Sequence, residues 1–474
     1  MERRFWIRVL VVSVLLVIQA AANANAKSSN VPCLREVLHQ AILHDTDVEI
    51  AGHKAGIASV EKRKAMESYL PRIGLESSFR VIDEALGTER FVLPPPADMV
   101  RVPPITLQEK QTFRAGIEVN QLLFSGFEVP RRIRAADHGH MAAQYMIEAQ
   151  EQRLILSAAG LYDRLSIIDQ ALEVIGMEQE RLAAEKEKAE NAFSQGLIPY
   201  YDLARLEAAM HQLDSKRIEL RGNRNIAALR LEQVSGIDRD RFSGSTPELT
   251  VIGRHHGISP AHRPESGPDR PPYLPGDSSG KKKTAAGDPP EVKALYEASQ
   301  AAESLYQAER STYLPKIFAF YRHELYEDDL SALEPARAGG VVLRWDLFTG
   351  MARCREVQKA NIEQQIAHSR LADARLDAAT GRGQADVNVA VAQQQIAAAE
   401  ANLESAELSL ELASKRYDAG IAPVSEFLEA RAEYQRAHLA GIEAVYQQRR
   451  AAMESLYAHG MLSIKTVSDT GKEL

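Results

Sequence analysis

Two short stretches of the chain share one pattern and decide its fold. Residues 193–199 read FSQGLIP, and residues 417–423, which lie 224 positions later, read YDAGIAP. Each stretch has an aromatic residue, a glycine three positions further on and a proline three positions after the glycine. Glycine commonly ends a helix in the left-handed conformation, and proline is favoured where a helix begins. Each stretch therefore predicts the turn of a helical hairpin.

The same shift of 224 residues relates other landmarks on both sides of these turns. The landmarks that it superimposes are Phe124 with Phe348, Gly126 with Gly350, and Gly236 with Gly460. Further upstream, Tyr-Leu-Pro at residues 69–71 matches residues 313–315 at a shift of 244, so the first half has extra residues in one loop. A constant shift over such a length predicts an internal duplication, with each half built in the same way.

A very long helix is expected before each turn. Apolar residues recur there at alternating steps of four and three, which is the heptad spacing of a coiled coil. In the first half these positions are Leu154, Ala158, Leu161, Leu165, Ile168, Leu172, Ile175, Gln179, Leu182, Lys186, Ala189 and Phe193, and in the second half Ile396, Ala399, Leu403, Ala406, Leu410, Ala413 and Tyr417. A helix over residues 130–193 would be about 95 Å long at 1.5 Å per residue, which is rare in soluble domains. A return helix should follow each turn.

Each half also predicts two strands ahead of its long helix. Residues 73–80 and 115–122 alternate between apolar and polar side chains, as expected of strands whose two faces meet different surroundings. In the second half the equivalent strands begin at Ile317 and near Gly339, and the latter is expected to continue through Trp345. The helices expected to precede these strand pairs cover residues 34–68 and 290–312.

The chain begins with a predicted export signal. A basic start is followed by an apolar stretch at residues 9–18 and by a small-residue cleavage site at residues 24–26. That apolar stretch is shorter than the roughly 20 residues that a membrane-spanning helix needs. The predicted divisions of the chain are a signal peptide at residues 1–26, a first repeat at 27–242, a Pro-, Gly- and Ser-rich flexible linker at 243–289, a second repeat at 290–462 and a C-terminal tail at 463–474.

Four strands per chain predict an oligomer in a membrane. Four strands cannot close a barrel, an open sheet edge cannot face lipid, and small membrane barrels have at least eight strands. Three chains would supply twelve strands, and the same symmetry would wrap the long hairpins into a helical tube. The expected fold class is therefore an α+β membrane protein, with coiled-coil hairpins forming a trimeric α-barrel and four strands per chain contributing to a 12-stranded transmembrane β-barrel.

Several motifs together resemble the TolC-like outer-membrane efflux proteins. They are the helix opening at residues 34–41, the Tyr-Leu-Pro at 69–71, the Asp-Leu-Phe-Thr-Gly at 346–350, the second turn at 417–421 and the helix start at 426–430. The resemblance covers residues 34–240 and 290–462. It implies a homotrimer in the outer membrane, in contact with its lipid, with a large periplasmic part. Its partners would be a periplasmic adaptor protein and an inner-membrane transporter.

The resemblance also implies candidate functional residues near the turns. An acidic ring at the tunnel entrance falls on Glu426 and Glu429, and contacts that gate the entrance fall on Asp202 and Tyr417. The basic residue that some members use as a latch falls on Ala422, which cannot act in that way. The residues that would contact the adaptor at the tips are Gly196, Leu197, Pro199, Gly420, Ile421 and Pro423. The simpler interpretation of the two glutamates is that they are solvent-facing helix charges.

Other functions are less favoured. A type I protein secretion channel has the same features as a small-molecule efflux channel, so this alternative stays open. A periplasmic adaptor would have one coiled-coil hairpin rather than two. No nucleophile with a neighbouring base, metal motif or phosphate-binding loop occurs in the sequence, so we expect neither an enzyme nor a bound metal or cofactor. The net charge of −8 argues against binding to nucleic acid.

Overall fold

The computed structural model describes residues 31–84, 86–87, 106–108, 110–244, 246, 249, 288–327 and 336–469. The predicted signal peptide at residues 1–26, residues 250–287 of the predicted linker and residues 470–474 of the predicted tail lie outside the described residues.

The predicted helices and strands occur in the expected order in both halves, together with a short strand pair, a 3-10 turn and a final short helix that were not predicted. In the first half they are α1 (Leu34–His44), α2 (Thr46–Glu67), β1 (Arg72–Val81), β2 (Leu86–Gly87), β3 (Thr106–Gln108), β4 (Gln111–Phe124), α3 (Glu128–Ser194), α4 (Tyr200–Ser235) and a 3-10 turn (Arg239–Phe242). In the second half they are α5 (Pro290–Ser311), β5 (Lys316–Glu327), β6 (Arg337–Arg344), α6 (Ala352–Asp418), α7 (Val424–Ala458) and α8 (Ile464–Asp469). Among the described residues, no helix has the length and apolar character needed to cross a bilayer.

The backbone repeats with the same shift as the sequence. Both α3 and α6 have 67 residues, and their first residues, Glu128 and Ala352, are 224 positions apart. Left-handed backbone conformations also occur in pairs at this shift: Gly126 with Gly350, Phe127 with Met351, Gly196 with Gly420, and Gly236 with Gly460. A non-glycine residue rarely adopts positive φ, so its occurrence at both Phe127 and Met351 marks one turn built twice.

Two predicted elements differ from the structure. The helix expected over residues 34–68 is divided at Asp45, whose backbone is extended and whose Oδ1 accepts a hydrogen bond from the Val48 amide at 2.8 Å. Asp45 thus satisfies an otherwise free N–H at the start of α2, as aspartate often does at helix starts. The strand expected to include Trp345 ends at Arg344. The Trp345 indole N–H instead donates to the Tyr313 carbonyl oxygen at 3.0 Å.

The four long strands form one antiparallel sheet in the order β1-β4-β5-β6, so β1 and β6 are its edges. Leu75 lies opposite Ile117, Asn120 opposite Phe320, and Lys316 opposite Arg344. A separate short pair joins β2 and β3. Directly paired residues lie on the same face of a sheet. This register therefore places the alternating side chains of the strands on two separate faces, as the sequence predicted.

The faces of this sheet have opposite character. One face carries large apolar side chains that are exposed in the single chain: Ile73, Leu75, Phe79 and Val81 on β1, and Val341 and Leu343 on β6. The other face carries charged side chains, including Arg72, Glu76 and Arg80 on β1 and Lys316 on β5. An exposed apolar face opposite a charged face is the pattern of a strand that separates lipid from an aqueous lumen.

The chain divides into two compact units, and each contains residues of both repeats. Among the described residues, the first unit comprises those within 31–50, 148–290 and 376–469, and the second comprises those within 51–147 and 291–375. In the first unit, the predicted heptad positions of α3 form much of the core, where Leu165, Ile175 and Leu182 are fully buried. The coiled-coil prediction for the first half is thus confirmed.

Two buried ion pairs join α3 to α7 within the first unit. The Arg449 Nε atom lies 2.9 Å from Asp163 Oδ2, and Asp163 is fully buried. Burial raises the pKa of Asp163, and the Arg449 charge opposes that increase. The second pair joins Arg431 Nε to Glu178 Oε2 at 2.8 Å. Because each pair connects the first hairpin to the second, both pairs fix the register in which the hairpins pack.

Candidate functional site: the hairpin tips

The long helices end in the same hydrogen-bonded turn in both repeats. The Gly196 amide donates to the Phe193 carbonyl at 2.8 Å, and the Leu197 amide donates to the Ala192 carbonyl at 2.9 Å. In the second repeat, the Gly420 amide donates to Tyr417 and the Ile421 amide donates to Arg416, both at 2.9 Å. This pair of bonds is the Schellman motif, in which glycine adopts positive φ without strain. The φ angles of Gly196 and Gly420 are 73° and 71°.

The return helices also begin in the same way. Pro199 and Pro423 have extended backbones and precede the first residues of α4 and α7. Three residues later, the Asp202 amide donates to the Pro199 carbonyl and the Glu426 amide to the Pro423 carbonyl, each at 3.1 Å. The predicted gating residue Asp202 and the predicted ring residue Glu426 therefore occupy equivalent positions. A carboxylate in the first turn of a helix is also favoured by the helix dipole.

An arginine that the sequence reasoning missed lies beside the predicted acidic ring. The Arg416 Nη1 atom is 2.6 Å from Glu426 Oε1, and both side chains are partly exposed. The Arg416 carbonyl oxygen accepts hydrogen bonds from Ile421 and Ala422, so the turn itself positions this arginine. Arg416 comes ten residues before Glu426, and the turn brings the two together. Only a prediction of that turn geometry would have found the pair.

Glu429 differs from Glu426 in its surroundings. It lies one helical turn further along α7 and is exposed. In the part of the chain that the structure describes, no ion-pair partner accompanies it. Glu429 therefore carries an uncompensated negative charge near this tip, while the charge of Glu426 is balanced by Arg416.

Tyr417 lies at the end of a series of side chains in contact with one another, which continues through Phe427 and Arg431 to Glu178. Its ring stacks on Phe427 with centroids 5.2 Å apart and planes at 13°. The Arg431 Cζ atom is 5.5 Å from the Phe427 ring centroid, a cation–π distance, and Arg431 pairs in turn with Glu178. This arrangement holds the ring of Tyr417 on the α7 side of the turn.

The predicted gating residues are close enough to interact electrostatically. Partial burial raises the pKa of Tyr417, and the negative charges of Glu185 and Asp202 raise it further. The described side chains of Asp202 and Tyr417 share no hydrogen bond. The gating role thus stays a prediction for both residues.

Both tips present apolar side chains to solvent. Leu197 is 72% exposed and Ile421 is 71% exposed, and each follows the glycine of its turn. Tyr200 and Tyr201 are also exposed at the start of α4, and the Arg205 guanidinium lies 5.0 Å from the Tyr201 ring centroid. Exposed apolar groups at equivalent positions of a repeat are a pattern that favours contact with another protein.

Comparison with known proteins agrees with this geometry. Residues 283–459 match the sequence model of the family described as outer membrane efflux proteins. These residues include α5, the strands β5 and β6, and the whole of the second hairpin. No curated protein matches the chain by sequence.

Solved outer-membrane proteins have the same fold. VceC from Vibrio cholerae is 16% identical, with a TM-score of 0.70 over 90% of this chain and 96% of its own. The CmeC outer-membrane channel of Campylobacter jejuni is 18% identical, with a TM-score of 0.67 over 93% and 89%. The open state of the MtrE outer-membrane channel of Neisseria gonorrhoeae is 16% identical, with a TM-score of 0.65 over 91% and 90%. Residues 283–459 thus match the sequence model of the outer membrane efflux protein family, and the chain along most of its length has the fold of these solved outer-membrane proteins.

Proposed function

We propose that this chain is the outer-membrane channel subunit of a tripartite export system and gives substrates a passive path from the periplasm to the exterior. The observation that carries the proposal is the four-stranded sheet, with one exposed apolar face, one charged face and two open edges. Such a sheet satisfies its backbone in lipid only if its edges are paired. The proposal involves transport without catalysis.

A homotrimer supplies the missing edge pairs. If β6 of each chain pairs with β1 of the next, three chains give twelve strands, which exceeds the minimum of eight for a small membrane barrel. The first unit supports the same assembly, because α6 carries a stripe of exposed apolar residues. Leu376, Val387, Val391, Leu408 and Leu412 are at least 45% exposed in the single chain and lie on one side of the helix.

The tips are the surface that we assign to a periplasmic adaptor, which would couple the channel to an inner-membrane transporter. Support comes from exposed Leu197 and Ile421 on turns that Gly196, Pro199, Gly420 and Pro423 shape. The family name favours small-molecule efflux over type I protein secretion. The channel fold also argues against the adaptor alternative.

Glu429, with Glu426, is our candidate for an acidic ring at the entrance. Three exposed copies of Glu429 around one aperture would attract cations and disfavour anions. Support for this role comes from the exposure of Glu429, from its lack of an ion-pair partner among the described residues, and from the position of Glu426 at the start of α7.

Membrane fractionation and conductance test the proposed function directly. The full-length protein should fractionate with the outer membrane, show three chains in native mass measurements of the detergent extract, and form ion-conducting pores in planar bilayers. A stable monomer in the soluble fraction would contradict the proposal.

A further inference from the structure

A second site lies on the charged face of the sheet, within the second unit. There a cavity of about 770 Å³ opens beside the strand ends that adjoin the start of α3. Its lining includes four basic side chains, Arg72, Arg132, Lys316 and Arg344, but only two acidic side chains, Glu118 and Glu128. The cavity therefore has an excess of positive charge.

Two of the four cations are already paired. Lys316 Nζ lies 2.6 Å from Glu128 Oε2, and Arg132 Nε lies 3.0 Å from Glu128 Oε1. Arg132 also reaches Glu309 at 2.9 Å. By contrast, Arg72 and Arg344 have no carboxylate partner among the described residues. These two guanidinium groups are the ones free to bind an anion.

Part of the remaining wall of the cavity is apolar and aromatic, beside the polar Ser68, Asn120 and Ser125. Leu122, Phe318, Phe320 and Val342 line it. The Arg344 Cζ atom lies 5.5 Å from the Phe318 ring centroid, so this ring supports the guanidinium. Phe320 lies over Gly340, where an added Cβ would come within 3.1 Å of the ring. A glycine at this position leaves the aromatic surface accessible to the cavity.

We propose that this cavity binds amphipathic organic anions, with a carboxylate or sulfonate on Arg344, a ring or alkyl chain on Phe318 and Phe320, and Arg72 adding positive charge from the other edge of the sheet. Guanidinium groups bind such anions through charge-assisted, often forked hydrogen bonds. The inference rests on the proposed function, because the charged face of the sheet is the lumen face only in a transmembrane barrel. It assigns to the channel a class of substrate that the acidic tips would not favour.

Conductance block in planar bilayers tests the site. The probes are naphthalene-2-sulfonate and its cationic counterpart, 2-naphthylmethylammonium, applied to the full-length channel. We expect the sulfonate to block the parent and the ammonium ion to block much more weakly. In Arg72→Gln with Arg344→Gln, the half-blocking sulfonate concentration should rise by about tenfold or more, because a charge-assisted contact and a second positive charge of the cavity are lost.

A matched control removes the same number of charges from the same face. Arg80→Gln with Arg114→Gln alters positions about 20–26 Å further along the strands from Arg72, at 3.3 Å per residue, and should leave the block nearly unchanged. Equal shifts in both double variants, or equal block by both probes, would overturn the site while leaving a conducting channel. If the first double variant does not insert, Arg344→Gln alone should still weaken the block, and an unchanged block would also overturn the site. A parent protein that forms no pore would contradict the proposed function itself.

Discussion

Gly126 and Gly350 are equivalent residues in different surroundings. Their φ angles are 63° and 61°, so both need a residue that tolerates the left-handed conformation. An added Cβ at Gly126 would lie 2.8 Å from the Leu314 Cβ, whereas an added Cβ at Gly350 would meet nothing within 4 Å. Both positions therefore need a residue that tolerates positive φ, but only Gly126 lacks room for a Cβ atom.

We expect Gly350→Ala to lower the free energy of unfolding by about 1–2 kcal/mol, through the backbone term alone. Gly126→Ala should cost about 1–3 kcal/mol more, because it also overpacks the contact with Leu314. Unfolding in detergent, followed by circular dichroism, measures both variants against the parent. Equal losses would contradict the expectation and would indicate that a neighbouring chain fills the space at Gly350.

Glu426 and Glu429 differ because, among the described residues, only Glu426 has an ion-pair partner at the tip. If these side chains face the aperture, Glu429→Gln should remove most of the block by trivalent metal ions added on the periplasmic side, because Arg416 already balances Glu426. Arg416→Gln should strengthen the block, since it releases the Glu426 charge. Planar-bilayer conductance measures both effects.

Glu411→Gln is the matched control for this prediction. Glu411 is an exposed carboxylate on α6 that a hydrogen bond from Lys415 holds, and this bond lowers its pKa. The variant should be blocked like the parent. If Glu429→Gln and Arg416→Gln are also blocked like the parent, the carboxylates face outward and the acidic ring is wrong, although the channel function is not.

The elements could largely be predicted from the sequence because their signals are local. The heptad spacing before Gly196 and Gly420 predicts long helices, and the 67-residue lengths of α3 and α6 confirm them. The break at Asp45 had a local signal too, an aspartate able to cap α2, but the continuous run of helix-forming residues masked it. The ion pairs could not be predicted, because Asp163 and Arg449 are 286 residues apart and only packing brings them together.

For the buried ion pair between α3 and α7, removing one partner should destabilise the protein more than replacing both partners. Arg449→Met leaves Asp163 buried without a partner, which should cost about 3–5 kcal/mol. Asp163→Leu combined with Arg449→Met should recover much of that loss, because an apolar pair often replaces a buried ion pair without penalty. Unfolding in detergent measures both variants.

The adjacent residue on α7 supplies the control. Arg450 forms an exposed ion pair with Glu454 at 2.8 Å, and Arg450→Met should cost less than about 1 kcal/mol. Similar losses for Arg449→Met and Arg450→Met would show that the buried pair does not hold α3 and α7 together. A double variant no more stable than Arg449→Met would show that the loss does not come from an unpaired Asp163.

At the scale of the whole molecule, the single chain leaves matching surfaces uncovered. The edges of the sheet, β1 and β6, carry exposed Leu75 and Val341 on its apolar face, and α6 carries its apolar stripe. The number of predicted strands, four per chain, already indicated that a single chain cannot close the sheet. It could not give the register between chains, since that register depends on how one β6 meets the next β1.

Cross-linking between these two edges tests the assembly. In a background with Cys33→Ser and Cys354→Ser, we pair Leu75→Cys in turn with a cysteine at each position of β6, from Arg337 to Arg344. Paired Cβ atoms across antiparallel strands lie about 4.5–5.5 Å apart, and the closer, non-hydrogen-bonded pairs come within disulfide reach at about 4.5 Å. At least one combination should therefore give covalent dimers and trimers under mild oxidation in membranes, visible on denaturing gels and lost on reduction.

The structure supplies a control with the same chemistry and a different outcome. Leu75 and Ile117 are direct partners within one chain, so Leu75→Cys with Ile117→Cys should form an internal bond and no ladder. Each single cysteine variant should give neither product. If the internal bond forms while the β1–β6 combinations stay monomeric, the edges do not meet between chains, and a barrel of three identical subunits closed through β1 and β6 is wrong.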